Sequence, residues 1–180
     1  MARRDDEFAA FAAASGPALR RTAYLVCGDW DRAADVVQEA LIRVYVAWPR
    51  LDPDRDLRAY ARRAAVRVAI DQSRKRSSRE VPTPRAGDRP LADPTDLVAE
   101  RALLMAALAD LPPRQRACVV LRYYEDLSVE TVAEVLGCRS GTVKSQTARG
   151  LDALRVAYRR HGGELAAGPP APVHPEEVLP

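Results

Sequence analysis

A chain of 180 residues, 47% hydrophobic and with a formal net charge of +3, fits one ordinary domain or two small ones and is too apolar for wholesale disorder. No apolar run approaches the roughly eighteen residues that a membrane-crossing helix needs. Asp5, Asp6 and Glu7 stand where a secretory leader would be apolar, so the chain is expected to be cytoplasmic, with no membrane insertion.

Cys27, Cys118 and Cys138 are odd in number and far apart, and the two histidines, His161 and His174, lie near the end. That arrangement argues against a disulfide framework or a zinc site. The expected roles are small buried residues plus one exposed thiol, with no metal and no cofactor. Charge is distributed in blocks: residues 1–80 hold 16 basic and 12 acidic side chains, residues 81–110 hold 3 and 5, residues 111–161 hold 9 and 5, and the remainder holds 0 and 3. Two basic blocks around an acidic joint suggest two modules that each meet a polyanion.

Apolar residues recur at three- and four-residue steps, and strand signals are almost absent, so the class is all-α. The N-terminal module, residues 1–76, is expected to hold about four helices. Phe8, Phe11 and Ala12 open an apolar face, and Ser15-Gly16-Pro17 reads as a break and restart. The next helix ends at Gly28, with Asp29 or Asp31 placed to cap its successor. Over 31–48, Ala34, Val37, Leu41, Val44 and Trp48 form a stripe suited to burial, while Asp35, Glu39, Ile42 and Val46, with Gln38 at the edge, form the opposite face. Branched apolar residues among carboxylates suit a partner-binding surface.

Pro49 stops that helix, and the loop PRLDPDRD leads to a basic helix over 57–76. Tyr60, Arg63, Arg67, Ile70 and Arg74 share one stripe of it, with Lys75 alongside. Guanidinium groups neutralise phosphates, and interleaved apolar groups meet unstacked bases, so this composition suits a nucleic-acid strand. Residues 77–96 carry prolines and small polar residues without a periodic face and read as a flexible linker.

The second module, 97–161, begins with an amphipathic helix through Leu97, Leu104 and Leu108. Pro113 suits the first turn of a helix that runs to about Tyr124. A helix-turn-helix pattern follows. Ser128 caps a helix with Val129, Val132, Ala133 and Leu136 inward, Gly137 takes the left-handed position, and Ser140 caps the second helix. Val143, Thr147, Leu151 and Leu154 point inward, while Thr142, Ser145, Gln146 and Arg149 point outward with no acidic group among them. Such a face can enter a major groove and read base edges, with Arg139 and Lys144 placed for phosphates. Residues 162–180, rich in Pro, Gly and Ala, read as a disordered tail.

Three blocks carry a family resemblance. DVVQEALIRVYVAW (35–48) resembles the polymerase-binding region of domain 2 of the sigma-70 superfamily, AYARRAAVRVAIDQSRKR (59–76) its −10 segment, and LPPRQRACVVLRYYEDLSVETVAEVLGCRSGTVKSQTARGLDALR (111–155) its domain 4. The two-domain layout resembles the group 4, extracytoplasmic-function type, particularly actinobacterial members. The resemblance implies a non-enzymatic sigma factor that binds core RNA polymerase through its β′ clamp and β flap. It would direct initiation through the −10 and −35 promoter elements, with an anti-sigma factor as a further candidate partner. It places Asp35, Gln38, Glu39, Ile42 and Arg43 on the polymerase, Tyr60, Arg63, Arg67, Arg74 and Lys75 on the −10 strand, and Arg139, Thr142, Lys144, Ser145, Gln146 and Arg149 on the −35 duplex. It assigns the loop Pro49 to Asp56 to capture of a flipped base. Arg67 stands where the family commonly has asparagine, and Gln146 replaces a frequent arginine, so base preferences do not transfer. Two rivals stay open from residue pattern alone: a dimeric helix-turn-helix regulator, which leaves the 35–46 face unused, and a scaffold that binds only protein.

Overall fold

The computed structural model describes residues 2–52, 56–77 and 96–164, and the described residues are helical, joined by turns. The expected linker, apart from Ser77 and Asp96, and the tail beyond Glu164 lie outside them. The chain divides into two units, Met1–Gln72 and Ser73–Pro180.

In the first unit α1 spans Ala2–Cys27 and α2 Trp30–Ala47, and α3, Leu57–Ser77, begins there and runs past the boundary at Gln72. The break expected at Ser15-Gly16-Pro17 is absent: α1 runs through Pro17. A proline in a helix interior costs roughly 3 kcal/mol. Packing on both sides outweighs that cost. Before Pro17, the Phe8 ring centroid lies 5.2 Å from Trp48 and 4.9 Å from Tyr45, and Phe11 lies 5.1 Å from Trp48. After Pro17, Leu19, Ala23, Leu25 and Val26 are buried. Gly28, with φ +74, ends the helix, and its N–H donates to the Tyr24 carbonyl at 2.7 Å.

Asp29 caps α2, accepting from the Arg32 N–H at 2.8 Å. The buried stripe of α2 is Ala33, Val36, Val37, Ala40 and Val44. Only Val37 and Val44 belong to the stripe expected from spacing. At 3.6 residues per turn the true stripe is rotated by roughly 60°. The alanines decide this. Ala33 and Ala40 are weak hydrophobic signals in sequence, but they let a neighbouring helix approach closely, while the larger Leu41 and Trp48 are only partly covered. α3 repeats the device with Ala61, Ala65, Val66, Val68 and Ala69 buried. A turn of 3-10 helix at Trp48–Arg50 holds Pro49, and Asp56 caps α3 by accepting from the Ala59 N–H at 2.9 Å.

In the second unit α4 spans Asp96–Ala109, α5 Pro113–Val119, α6 Val129–Leu136 and α7 Ser140–Arg160. Pro113 occupies the first turn of α5, as expected, behind an extended Pro112. The helix runs to Tyr124 as expected, but its last turn, Val120–Tyr124, widens into a π turn, with the Glu125 N–H donating to the Val120 carbonyl at 3.1 Å. Arg122 donates to the Leu127 carbonyl, and the Leu127 N–H to the Leu121 carbonyl at 3.0 Å, which carries the chain off the widened turn. One turn of apolar spacing does not separate the two hydrogen-bond patterns. Arg116, buried in α5, donates to the carbonyls of Ala109 and Leu111 and ties down the α4–α5 joint.

Ser128 caps α6, its hydroxyl accepting from the Thr131 N–H at 3.0 Å, and Gly137 ends it at φ 63, ψ 44. Ser140 is not the cap of α7. Arg139 takes the extended cap position, its carbonyl accepting from Thr142 and Val143 N–H groups, and Ser140 is already helical. The turn is one residue shorter than its polar composition suggested. Val132 and Val143 are both fully buried and fix α6 against α7. Ala107, Ala157 and Tyr158, with Leu103, Leu104 and Leu154 against them, close the far end of the unit.

Candidate polymerase and nucleic-acid interfaces

Two surfaces follow from the first unit. Because α2 buries its alanine and valine stripe, its other side faces outward. Asp35, Gln38 and Arg43 are exposed there, beside Ile42, Tyr45 and Val46 at 56%, 46% and 69% exposure. Solvent contact on that scale for three large apolar groups of one helix face gives an apolar strip edged by charge. Tyr45 is held in place rather than loose: its hydroxyl donates to Asp5 Oδ1 at 2.9 Å, and that bond raises its pKa above the ordinary tyrosine value. Glu39 is half-buried and accepts from Arg43 at 2.5 Å and from Gln72 of α3 at 3.0 Å.

The second surface is the basic stripe of α3. Tyr60, Arg67, Arg74 and Lys75 are exposed, and Arg63 and Ile70 are half-buried. Asp56 starts the helix just ahead of Tyr60. The loop expected to hold a flipped base is described only at its two ends, since residues 53–55 lie outside the described residues.

The second unit offers the outward face of α7. Arg139, Thr142, Lys144, Ser145 and Arg149 are exposed, and Gln146 is half-buried. The Ser145 hydroxyl donates to the Thr142 carbonyl at 3.0 Å, which leaves its oxygen lone pairs outward as an acceptor. Arg149 supplies a planar fork of donors, suited to two acceptors on one base edge. The inward side of α7 is held closely: a Cβ on Gly150 would lie 2.8 Å from Val119 Cγ2 of α5.

The residues singled out from sequence thus fall on three exposed faces, one each on α2, α3 and α7. Sequence reasoning missed four contributors. Asp56 was legible as an Asp three residues ahead of a helical N–H. Gly150, Gln72 and the Asp110–Arg160–His161 cluster, in which Asp110 accepts from both side chains, depend on approach between helices and leave no local signal. Cys27 and Cys118 are buried, and Cys138 is half-exposed. Burial, then the nearby Cys138, pushes the Cys118 thiol up to about 11. Among the described residues no group of three or more His, Cys, Asp or Glu gathers to hold a metal, and no helix is long and apolar enough to cross a membrane.

A capped helix, a glycine turn and a second helix whose first turns, residues 139–149, carry a polar outer face without an acid make the second unit a helix-turn-helix DNA-binding unit. The chain is therefore a DNA-binding protein of two units, with helices throughout the described residues. Comparison with known proteins narrows the class. The family model described as Sigma-70 region 2 matches residues 11–79, and that described as Sigma-70, region 4 matches residues 101–154. The RNA polymerase sigma-E factor of Streptomyces coelicolor is 40% identical over 149 residues, covering 83% of this chain and 84% of that protein. The ECF RNA polymerase sigma factor SigW of Bacillus subtilis is 30% identical over 154 residues, covering 76% and 80%. The fold resembles that of the sigma factor RpoE from Bartonella quintana, solved with the anti-sigma factor NepR, at a TM-score of 0.66 and 24% identity over 85% of this chain and 97% of that one. The chain belongs to the sigma-70 family of RNA polymerase sigma factors, among its extracytoplasmic-function (ECF) members.

Proposed function

We propose that this chain works in the cytoplasm without bond-making chemistry of its own, as the subunit that brings core RNA polymerase to promoters and helps open them there. Asp35, Gln38, Glu39, Ile42 and Arg43 of α2 are assigned to the polymerase clamp. Tyr60, Arg63, Arg67, Arg74 and Lys75 of α3 are assigned to the separated −10 strand. Arg139, Thr142, Lys144, Ser145, Gln146 and Arg149 at the start of α7 are assigned to the −35 duplex. By analogy with the Bartonella protein, an anti-sigma factor is a further partner.

The observation that carries this reading is the pairing, in one chain, of an acid-edged apolar face on α2 with an acid-free reading face on α7. A DNA-binding regulator acting alone has use for the second but not the first. Opening a promoter requires bases to leave the stack, at about a few kcal/mol each. Arginine–phosphate contacts from α3 and stacking on Tyr60 offset part of that cost.

Run-off transcription from a genomic library, with purified core enzyme and the full chain, tests the reading. Start sites sharing one −35 and −10 pattern are expected only when the chain is present. Initiation no more selective than that of core alone would refute it. A gel shift separates the regulator: a sigma factor binds promoter duplex weakly until core is added, whereas a regulator binds tightly by itself.

A further inference from the structure

On the polymerase-facing side of α2, Glu39 already has both carboxylate oxygens engaged. Oε1 accepts from Arg43 Nη2 at 2.5 Å, and Oε2 accepts from Gln72 Nε2 at 3.0 Å. The Glu39–Arg43 pair is of the i, i+4 type with both side chains over two-fifths exposed. Alone, such a pair is screened by solvent and samples many rotamers. Gln72 changes that. It reaches in from another helix, 33 residues along the chain, through a partly buried hydrogen bond. One oxygen is then fixed from α3, so the other is fixed in direction, and the guanidinium on it is held at the outer edge of α2.

A carboxylate with its charge offset by an adjacent guanidinium attracts an incoming cation less than a free one does, whatever lone pairs remain. The guanidinium keeps its outward N–H groups and a planar fork that suits a partner's carboxylate. Holding it in one rotamer before binding removes an ordering cost from the binding step. We propose that Gln72 is a positioning residue for polymerase binding: it fixes Glu39, Glu39 fixes Arg43, and the preset Arg43 guanidinium meets a carboxylate on the polymerase. The proposal rests on the assignment of α2 to the polymerase. It reverses the simplest account of that face, in which Glu39 is itself the group presented.

The test is the affinity of the full chain for purified core polymerase, without DNA, by competition against a fluorescently labelled copy of the wild type. Gln72→Glu keeps the size, loses the donor and repels Glu39, and Gln72→Leu removes the donor without adding charge. Each is expected to weaken binding about three- to tenfold, the range set by the net worth of one hydrogen bond. Gln72→Lys, which donates from a similar reach, is expected to recover most of the loss. In an Arg43→Ala background, Gln72→Leu is expected to have no further effect, because its action passes through Arg43. Helical circular dichroism of each variant shows that the fold is kept. If Gln72→Leu and Gln72→Glu bind as the wild type while Asp35→Ala binds more weakly, the positioning role is overturned and the α2 assignment stands. If the loss persists in full with Arg43→Ala, the route through Arg43 is overturned. If neither the Gln72 variants nor Asp35→Ala alter affinity, the α2 assignment falls as well.

Discussion

Gly150 of α7 and Val119 of α5 approach so closely that a Cβ on the glycine would sit 2.8 Å from Val119 Cγ2 and 3.1 Å from the Gln115 carbonyl oxygen. Its neighbour Arg149 is exposed on the reading face, so this contact sets how far the face stands from α5. Gly150→Ala gains roughly 1 kcal/mol of helix propensity, but forcing a methyl into the contact costs about 1–3 kcal/mol. Backbone oxygen on one side leaves little room to relax. A net loss of stability is expected, read as a lower melting temperature of the full chain. An unchanged or higher melting temperature would mean that the two helices slide apart freely.

What could be read from sequence was whatever depends on local backbone rules. Ser128 as a cap and Gly137 in the left-handed region are settled within a few residues, so the turn before α7 was legible, except that the cap fell on Arg139 rather than Ser140. The outward positions of α2, α3 and α7 were legible because helical period alone separates faces. Pro17 does not break α1 because aromatic contacts from Tyr45 and Trp48, far along the chain, support its first half. The buried stripe of α2 was misplaced because alanines at close helix contacts look neutral in a hydrophobic pattern. Gln72 lay beyond reach for the same reason as Gly150: each matters through its contacts with another helix.

At the end of the second unit Asp110 accepts from Arg160 and from His161, the latter at 2.7 Å, and pins the last turn of α7 to the end of α4. Partial burial pushes the Asp110 carboxyl up, but the hydrogen bonds from His161 and Arg160 outweigh it and hold the pKa below its ordinary 3.8. A carboxyl with a depressed folded pKa stabilises above its unfolded value and loses that contribution as pH falls through the folded one. Asp110→Asn is therefore expected to lower stability at neutral pH by less than about 1 kcal/mol, since the pair is partly solvated. The gap from wild type should close as pH drops through and below 3.8. Melting curves of both proteins across that range check this, and a gap that persists in strong acid would contradict it.

Cys118 is buried with its thiol pushed up to about 11, whereas Cys138 is half-exposed in the turn between α6 and α7. Thiolate is the reactive species, so at pH 8 only about one Cys118 thiol in a thousand is ionised. Brief alkylation of the native chain is expected to modify Cys138 and spare Cys27 and Cys118, which react once the chain is denatured. Peptide mapping before and after denaturation gives the answer. Early labelling of Cys118 would show that α5 opens in the native state.

The basic stripe of α3 makes a prediction that separates phosphate neutralisation from base contact. Arg67 is exposed and Arg63 half-exposed on the side of α3 that carries Tyr60. Each phosphate neutralised on a single strand releases condensed counterions, which steepens the fall of binding with salt by roughly 0.7 in log–log slope, and by roughly 0.9 on duplex. Arg63→Ala and Arg67→Ala, made singly, should each flatten the salt dependence of open-complex stability by about that amount, 0.7 to 0.9 units. Tyr60→Ala should weaken the open complex at every salt concentration without changing the slope, because stacking on a base releases no counterion. Filter binding of heparin-resistant complexes over a range of chloride concentrations measures both quantities at once. If the arginine variants lose affinity at constant slope, their contacts are to bases rather than phosphates. If their slope and affinity both match the wild type, α3 does not hold the strand through these residues.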